Sequence, residues 1–307
     1  MTKVLVATEK PFAAAAVDVI KDIIGKTDFE LVLLEKYEDK SELLKAMENV
    51  NAVIIRSDKV TAEVLDAAKE LKVVVRAGAG FDNVDLAAAT SHEVIVQNTP
   101  GQNSNAVAEL VIGMMLLMAR NNYNGKSGTE LLGKKLGLHA YGNVGRCVSR
   151  IAKGFGMQVY AFDPFIDKSV IENDGVIAID SIEELYSTCQ YVSLHIPANE
   201  HTKKSINLNL MSMMPPNATV INTARKEVIC EDSLIKVLEA RPDFKYVADI
   251  APDCKAVIEE RFLGKFFFTP KKSGAQTAEA NINAAGAAAN QIVEYFKNGK
   301  ILNQVNK

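Results

Sequence analysis

No CxxC pair occurs in this sequence, and its four cysteines (Cys147, Cys189, Cys230, Cys254) stand far apart. That spacing excludes a disulfide frame and reads as buried or free thiols. Met1-Thr2-Lys3-Val4-Leu5-Val6 runs straight into an apolar strand with no signal segment, so a cytoplasmic location is expected. There are only four histidines and no HExxH pair, so no metal site is expected. No apolar run approaches the length of a membrane span, so no membrane partner is expected. The net charge of −3 leaves no strongly basic surface, so nucleic acid is not an expected partner either. What is left, over 307 residues, is enough chain for two ordinary domains.

The stretch that carries chemistry is Leu136-Gly137-Leu138-His139-Ala140-Tyr141-Gly142-Asn143-Val144-Gly145-Arg146. It reads as a strand, a glycine turn and the start of a helix that stops near Gly156. A second strand, Gln158–Phe162, ends on Asp163. Backbone N–H groups at such a helix N-terminus favour a pyrophosphate. An acid at the end of the next strand lies where ribose hydroxyls would sit. The dinucleotide fingerprint wants Gly-x-Gly-x-x-Gly, and here the first position is Ala140, an acceptable exchange if its φ is negative. Gly142 and Gly145 keep the other two positions. Tyr141, Asn143 and Val144 complete the turn. Pro164 follows Asp163 with no arginine nearby for a 2′-phosphate, so NAD is expected rather than NADP.

On either side, short apolar runs alternate with segments of helical spacing, which predicts parallel sheets covered on both faces. Residues 1–98 read as a flavodoxin-like α/β domain with strands at Val4–Ala7, Leu31–Leu34, Val53–Ile55, Val73–Val75 and Val94–Val96. Helices are expected at Val17–Ile24, Ser41–Met47 and Ala62–Leu71. Arg56 and Arg76 fall at strand ends, where ligands gather in such sheets. Arg76 opens a glycine-rich loop running to Asp85. Thr99–Asn103 reads as a hinge, with Ser104 or Asn105 capping a long apolar helix to Arg120. The wide apolar face of that helix suggests a subunit interface, although a central buried helix explains it equally well. The last helix is expected from about Thr277 to Lys297, closed by Gly299.

Eight stretches in one order resemble the D-isomer-specific 2-hydroxyacid dehydrogenases. They are Arg56-Ser57, Arg76–Asp85, Asn103-Ser104, the βαβ motif to Asp163, Ser193-Leu194-His195-Ile196-Pro197, Asn222-Thr223-Ala224-Arg225, Asp249, and Thr269-Pro270 before Gly274-Ala275. Within that family the chain is most similar to short members acting on 3-phosphoglycerate, which lack regulatory C-terminal domains. The resemblance implies an α/β protein of two Rossmann-like, doubly wound parallel-sheet lobes with the active site in the cleft between them. The substrate lobe would be residues 1–98 plus 276–307 and the NAD lobe 99–275. Arg225 would clamp the substrate carboxylate and carbonyl, and Asp249 would hold the nicotinamide carboxamide. His195, Pro197, Thr223, Ala224 and Gly274 would line the cofactor site. Arg56, Ser57, Arg76, Gly78, Ala79 and Asn103 would meet a phosphorylated 2-hydroxy acid. A homodimer through the 103–120 helix region is expected.

Two departures stand out. The family's catalytic histidine is missing from Thr269-Pro270-Lys271-Lys272-Ser273-Gly274. Counting back from Gly274 puts Lys272 in its place, and counting forward from Pro270 would choose Lys271. The partner glutamate is missing as well, with Cys254 at its spacing and Asp253 beside it. A lysine needs no carboxylate to fix a tautomer. To act as a base its pKa must fall from about 10.4, through burial or nearby arginines. His92, His139 and His201 are expected to be structural or solvent-facing. Two other functions stay open: reduction of glyoxylate or hydroxypyruvate, and a catalytically inactive NAD(H)-binding regulator.

Overall fold

The computed structural model describes residues 1–306. They divide into two units, Met1–Asn103 with the residues from Gln276 onward, and Ser104–Ala275. The Thr99–Asn103 turn therefore groups with the first unit, whereas the sequence placed it at the start of the second. The Thr99 N–H donates to the Gly78 carbonyl at 3.0 Å, inside the first unit.

The first unit alternates β1 (Lys3–Thr8), α1 (Ala14–Gly25), β2 (Glu30–Glu35), α2 (Lys40–Met47), β3 (Ala52–Ile55), α3 (Ala62–Ala67), β4 (Val73–Arg76), α4 (Leu86–Ser91) and β5 (Ile95–Asn98). All neighbouring strands are parallel, in the order β2-β1-β3-β4-β5. This is the flavodoxin-like winding. The central strands are apolar throughout because both faces are covered, and Val4 to Ala7 are fully buried. Helix α3 ends earlier than its apolar spacing predicts. Helix α4 lies beyond the loop read from the sequence, its first turn capped by the Asp85 carboxylate accepting from Ala88 N–H at 3.0 Å.

The second unit runs α5 (Ser104–Ala119), β6 (Lys135–His139), α6 (Asn143–Gly154), β7 (Gln158–Phe162), α7 (Lys168–Asn173), β8 (Ile177–Ala178), α8 (Ile182–Thr188) and β9 (Tyr191–Leu194). It continues with α9 (Leu208–Met213), β10 (Thr219–Asn222), α10 (Glu231–Ala240), β11 (Lys245–Ala248), α11 (Lys255–Arg261) and β12 (Phe266–Phe268). Its parallel sheet has the order β12-β11-β10-β9-β6-β7-β8. Read from β8, that is the dinucleotide-binding order with one strand added, and the winding reverses between β6 and β9. The chain closes with α12 (Ala278–Asn298), which returns to the first unit. Its buried alanines Ala284, Ala285, Ala288 and Ala289 share a core with Val17, Ile20 and Ile24 of α1.

Helix α5 begins at Ser104 rather than being capped by it. Its width is explained inside the unit: Ala108, Val111, Ile112, Met114, Met115 and Met118 are buried in the core over β6 and β7. Its exposed positions are Asn105, Glu109 and Gly113, and the core accounts for its apolar face, the second of the two explanations the sequence left open. Among the described residues, no helix is long and apolar enough to cross a membrane, and no cluster of side chains could hold a metal ion.

Candidate active site

The sheet reversal of the second unit places the end of β6 and the end of β9 side by side, and the glycine turn leaves from the first. Ala140 takes φ +85. This corrects the expectation of a negative φ: the turn still needs the left-handed conformation that a glycine supplies without strain. Gly145 fulfils its expected role, since a Cβ there would lie 2.6 Å from the Ala140 carbonyl oxygen. Gly142 precedes α6 with open space beside its Cα and no side-chain cap on the helix. The first N–H groups of α6, at Asn143, Val144 and Gly145, are therefore without side-chain acceptors at this end. The Tyr141 side chain turns inward and is buried, its hydroxyl donating to Asp174 at 3.1 Å. Only the Tyr141 backbone is left to face a ligand.

Asp163 holds this turn together. Its carboxylate accepts from Tyr141 N–H at 2.8 Å and from Phe165 N–H at 2.9 Å. At the switch point His195 N–H donates to the His139 carbonyl at 2.9 Å. Burial pushes the His195 imidazole down to about 3, with His139 adding to the effect. His139 is pushed down to about 4 by burial, against the pull of Asp163. Both rings are neutral at ordinary pH. His195 Nε2 and, at the end of β10, Thr223 Oγ1 are buried without hydrogen-bond partners. Uncapped helix N–H groups and two orphaned polar atoms at one switch point fit a polar dinucleotide. Pro197 is exposed beyond β9, its carbonyl accepting from the Thr202 hydroxyl.

Arg225 stands on a turn fixed by a residue to which the sequence reading gives no role. Asn222, buried at the end of β10, donates from Nδ2 to the Arg225 carbonyl at 2.9 Å. Its Oδ1 accepts from Ala224 N–H at 3.0 Å. Arg225 Nη1 reaches the Ala224 carbonyl at 3.0 Å. A polar residue closing β10, three positions before the motif arginine, was the only sign of this in the sequence.

Asp249 follows β11 and is buried. It accepts from the Thr269 hydroxyl (2.8 Å), Ser273 N–H (2.7 Å) and Gly274 N–H (2.8 Å). In this structure its carboxylate fixes the loop that carries Lys272, whereas the family role expected of it is to hold the carboxamide. Gly274 is required there, because a Cβ would lie 2.8 Å from Asp249 Oδ2. Lys271 and Lys272 are both exposed, so the fold by itself does not supply the burial expected of a lysine base. Lys272 directly precedes the two anchored N–H groups. The Lys271 carbonyl accepts from the Ser273 hydroxyl at 2.8 Å.

The place of the absent glutamate is filled by a clamp from another element. Glu231, at the start of α10, accepts from Asp253 N–H and Cys254 N–H, both at 2.8 Å. Burial and Glu231 push the Cys254 thiol up to about 12, so it stays protonated. The same loop holds Ile250 at φ +140, a rare conformation for a β-branched residue. Nothing in the sequence marks Glu231, since an acid in a first helical turn is ordinary.

In the first unit, Arg56 and Arg76 come together at the ends of β3 and β4. Arg76 Nε donates to the Arg56 carbonyl at 2.9 Å, and Arg56 Nη2 to Gln276 at 2.9 Å. Burial pulls the Arg56 guanidinium down, opposed by Asp58. Gly78 takes φ +145, and a Cβ there would lie 1.6 Å from Arg76 Nη1, so the guanidinium occupies the room a side chain would need. The Ala79 carbonyl accepts from Asn98 at 2.6 Å. Ser57 is exposed and Asn103 half-buried. Asp58, also unread in the sequence, is buried and accepts from Glu9 N–H and the Tyr37 hydroxyl at 2.6 and 2.7 Å.

Comparison with known proteins bears on these features. Residues 4–306 match the family model described as D-isomer specific 2-hydroxyacid dehydrogenase, catalytic domain. A D-3-phosphoglycerate dehydrogenase of Methanocaldococcus jannaschii is 33% identical over 325 residues, covering 100% of this chain and 60% of that protein. This chain therefore spans less than two thirds of that relative. A hydroxypyruvate reductase of Thermotoga maritima is 36% identical over 219 residues, covering 67% of this chain and 70% of its own. The crystal structure of NAD+-bound 3-phosphoglycerate dehydrogenase of Entamoeba histolytica superposes with a TM-score of 0.90 at 44% identity, covering 100% of this chain and 99% of that one.

Proposed function

The chain belongs to the D-isomer-specific 2-hydroxyacid dehydrogenase family, and from that membership we propose that it oxidises D-3-phosphoglycerate to 3-phosphohydroxypyruvate, the first step of serine synthesis, using NAD. The observation that carries the reading is the pairing of two fixed turns in one sheet: Arg225 pinned by Asn222, and the Lys272 loop pinned by Asp249. The relatives named above support the substrate. NAD, when bound, supplies the hydride acceptor. The first N–H groups of α6 would hold its pyrophosphate, Asp163 its ribose, and His195, Pro197, Thr223, Ala224 and Gly274 the rest of its site.

Arg225 orients the substrate, its guanidinium offering parallel hydrogen bonds to the carboxylate and the 2-oxygen. Lys272 takes the proton of the 2-hydroxyl as hydride leaves C2, and returns it in the reverse direction. Lys272 is exposed in the fold, so the exclusion of water that a lysine base needs would come with substrate binding. Arg56 and Arg76 meet the phosphate, with Ser57, Gly78, Ala79 and Asn103 around the substrate. A homodimer around α5 and a cytoplasmic location complete the proposal. Four unpaired cysteines support a reducing compartment. A monomer mass of 33.4 kDa by sedimentation at assay concentration would remove the dimer.

A second reading, reduction of hydroxypyruvate or glyoxylate, is favoured by the Thermotoga relative. NADH oxidation with 3-phosphohydroxypyruvate, hydroxypyruvate and glyoxylate separates the two. The phosphorylated acid should be preferred by wild type, and an Arg56→Ala, Arg76→Ala double variant should lose that preference while keeping hydroxypyruvate turnover. Preference for the unphosphorylated acids would favour the second reading. No turnover with any of the three would leave only the inactive regulator.

A further inference from the structure

Tyr191, Thr219 and Lys245 open β9, β10 and β11 and are paired in register across the three strands. Their side chains therefore stand in a row on one face of the sheet, about 4.8 Å apart. The residues assigned to the reaction lie at the other ends of the same strands, about 13 Å away at about 3.3 Å per residue. The row borders a cavity of about 210 Å³, whose other walls include Asn121, Thr129 and Gln190. The lining holds one cation and no carboxylate.

The outer wall is built under strain. Asn121, Asn122 and Tyr123 take φ of 50, 53 and 54 in succession. Single left-handed residues of this kind are common, but runs of three are not. The segment is tied back to the end of α5 by Thr129 N–H donating to the Ala119 carbonyl and by Asn121 Nδ2 donating to the Ser127 carbonyl, each at 2.8 Å. It approaches so closely that a Cβ on Gly128 would lie 2.3 Å from the Ala119 oxygen. These contacts hold the left-handed segment against the end of α5, beside the cavity.

The Lys245 ammonium is half-buried and donates to the Met118 carbonyl at 2.9 Å. Burial pulls its pKa down, and among the described residues no carboxylate pairs with it. Capping α5 uses one of its three donors and leaves two for a further acceptor in the cavity. Beside it stand the hydroxyls of Thr219, Tyr191 and Thr129, the last two in contact with each other. The volume is below that of ordinary cofactor pockets, so it excludes a dinucleotide and suits an acid of a few carbons.

We propose that this cavity is a second ligand site, taking a small hydroxylated anion, carboxylate or phosphate, whose charge is met by Lys245 and whose oxygens are met by the Thr219, Tyr191 and Thr129 hydroxyls. The assignment is independent of the reaction proposed above.

Titration calorimetry on the full chain tests it, with glycerate and inorganic phosphate as separate probes. The proteins are wild type, Lys245→Met, Thr219→Val and Arg225→Gln. Thr219→Val keeps the lysine cap on α5, so it reads the cavity even where Lys245→Met loosens the helix end. Saturable binding of at least one probe should persist in Arg225→Gln and weaken at least tenfold in Thr219→Val and Lys245→Met. Which probe binds tells carboxylate from phosphate. Binding that is lost in Arg225→Gln, binding that is equal in wild type and Thr219→Val, or no binding of either probe would overturn the proposal.

Discussion

Ala140 sits in the glycine turn with its backbone in the left-handed region. The sequence places it at the first position of the glycine fingerprint, but a residue name carries no dihedral angle, and the observed φ of +85 costs an L-residue about 1–2 kcal/mol. Part of that is offset by the lower chain entropy of alanine in the unfolded state. Ala140→Gly is therefore expected to stabilise the protein by about 0.5–1 kcal/mol, raising Tm by about 2 °C in a thermal melt. His195 gives a second test at this scale. Its folded pKa of about 3 lies below the unfolded value near 6.5. Below pH 6.5 the unfolded chain binds the proton that the folded chain refuses, so stability is full above pH 6.5 and falls as pH drops toward 3. Urea midpoints should fall between pH 7 and pH 5, and His195→Gln should flatten that slope. Arg225 and Asp163 were legible because charge at a strand end has few other uses. Asn222 and Asp58 were not, since a buried polar residue reveals its partners only once the chain is folded.

At the scale of elements, the contact between Asp249 and the 273–274 backbone fixes the loop that carries Lys272. The sequence marks Asp249 and Gly274 separately and twenty-five residues apart. Their contact appears only when β11 and β12 are side by side, with Tyr246, Val247 and Ala248 paired to Phe266, Phe267 and Phe268. Because Gly274 has no room for a Cβ against Asp249, Gly274→Ala must shift the Lys272 loop. A displacement of about 1 Å at a reacting group costs about 100-fold in rate. We expect a kcat loss of that order, with Tm lowered by only a few degrees; an unchanged kcat would mean that the loop does not position the reacting group. Glu231 was hidden for a related reason. Its clamp on the 253–254 backbone replaces nothing in the local sequence, because it reaches across from a different helix. Of the two explanations the sequence left open for the apolar face of α5, the core accounts for it, because the width of an apolar face does not by itself tell a core from an interface.

At the scale of the whole molecule, class and strand count were legible because apolar runs without alternation belong to sheets covered on both faces. Strand order was legible only through the flavodoxin-like and Rossmann-like windings expected. Periodicity says that a run is a strand, and only the winding of the helices says which strand it joins. The order β12-β11-β10-β9-β6-β7-β8 puts its reversal beside the glycine turn. The proposed function rests on one replacement within that frame, a lysine in the place of the family's proton-transferring histidine. The most direct measurement is the pH dependence of kcat for 3-phosphohydroxypyruvate reduction by wild type, Lys272→Ala and Lys271→Ala. Lys272→Ala should lose about 10²–10⁴-fold in kcat, together with the ionisation seen in the wild-type profile, and Lys271→Ala should follow wild type. Full activity and an unaltered profile in Lys272→Ala would contradict the account.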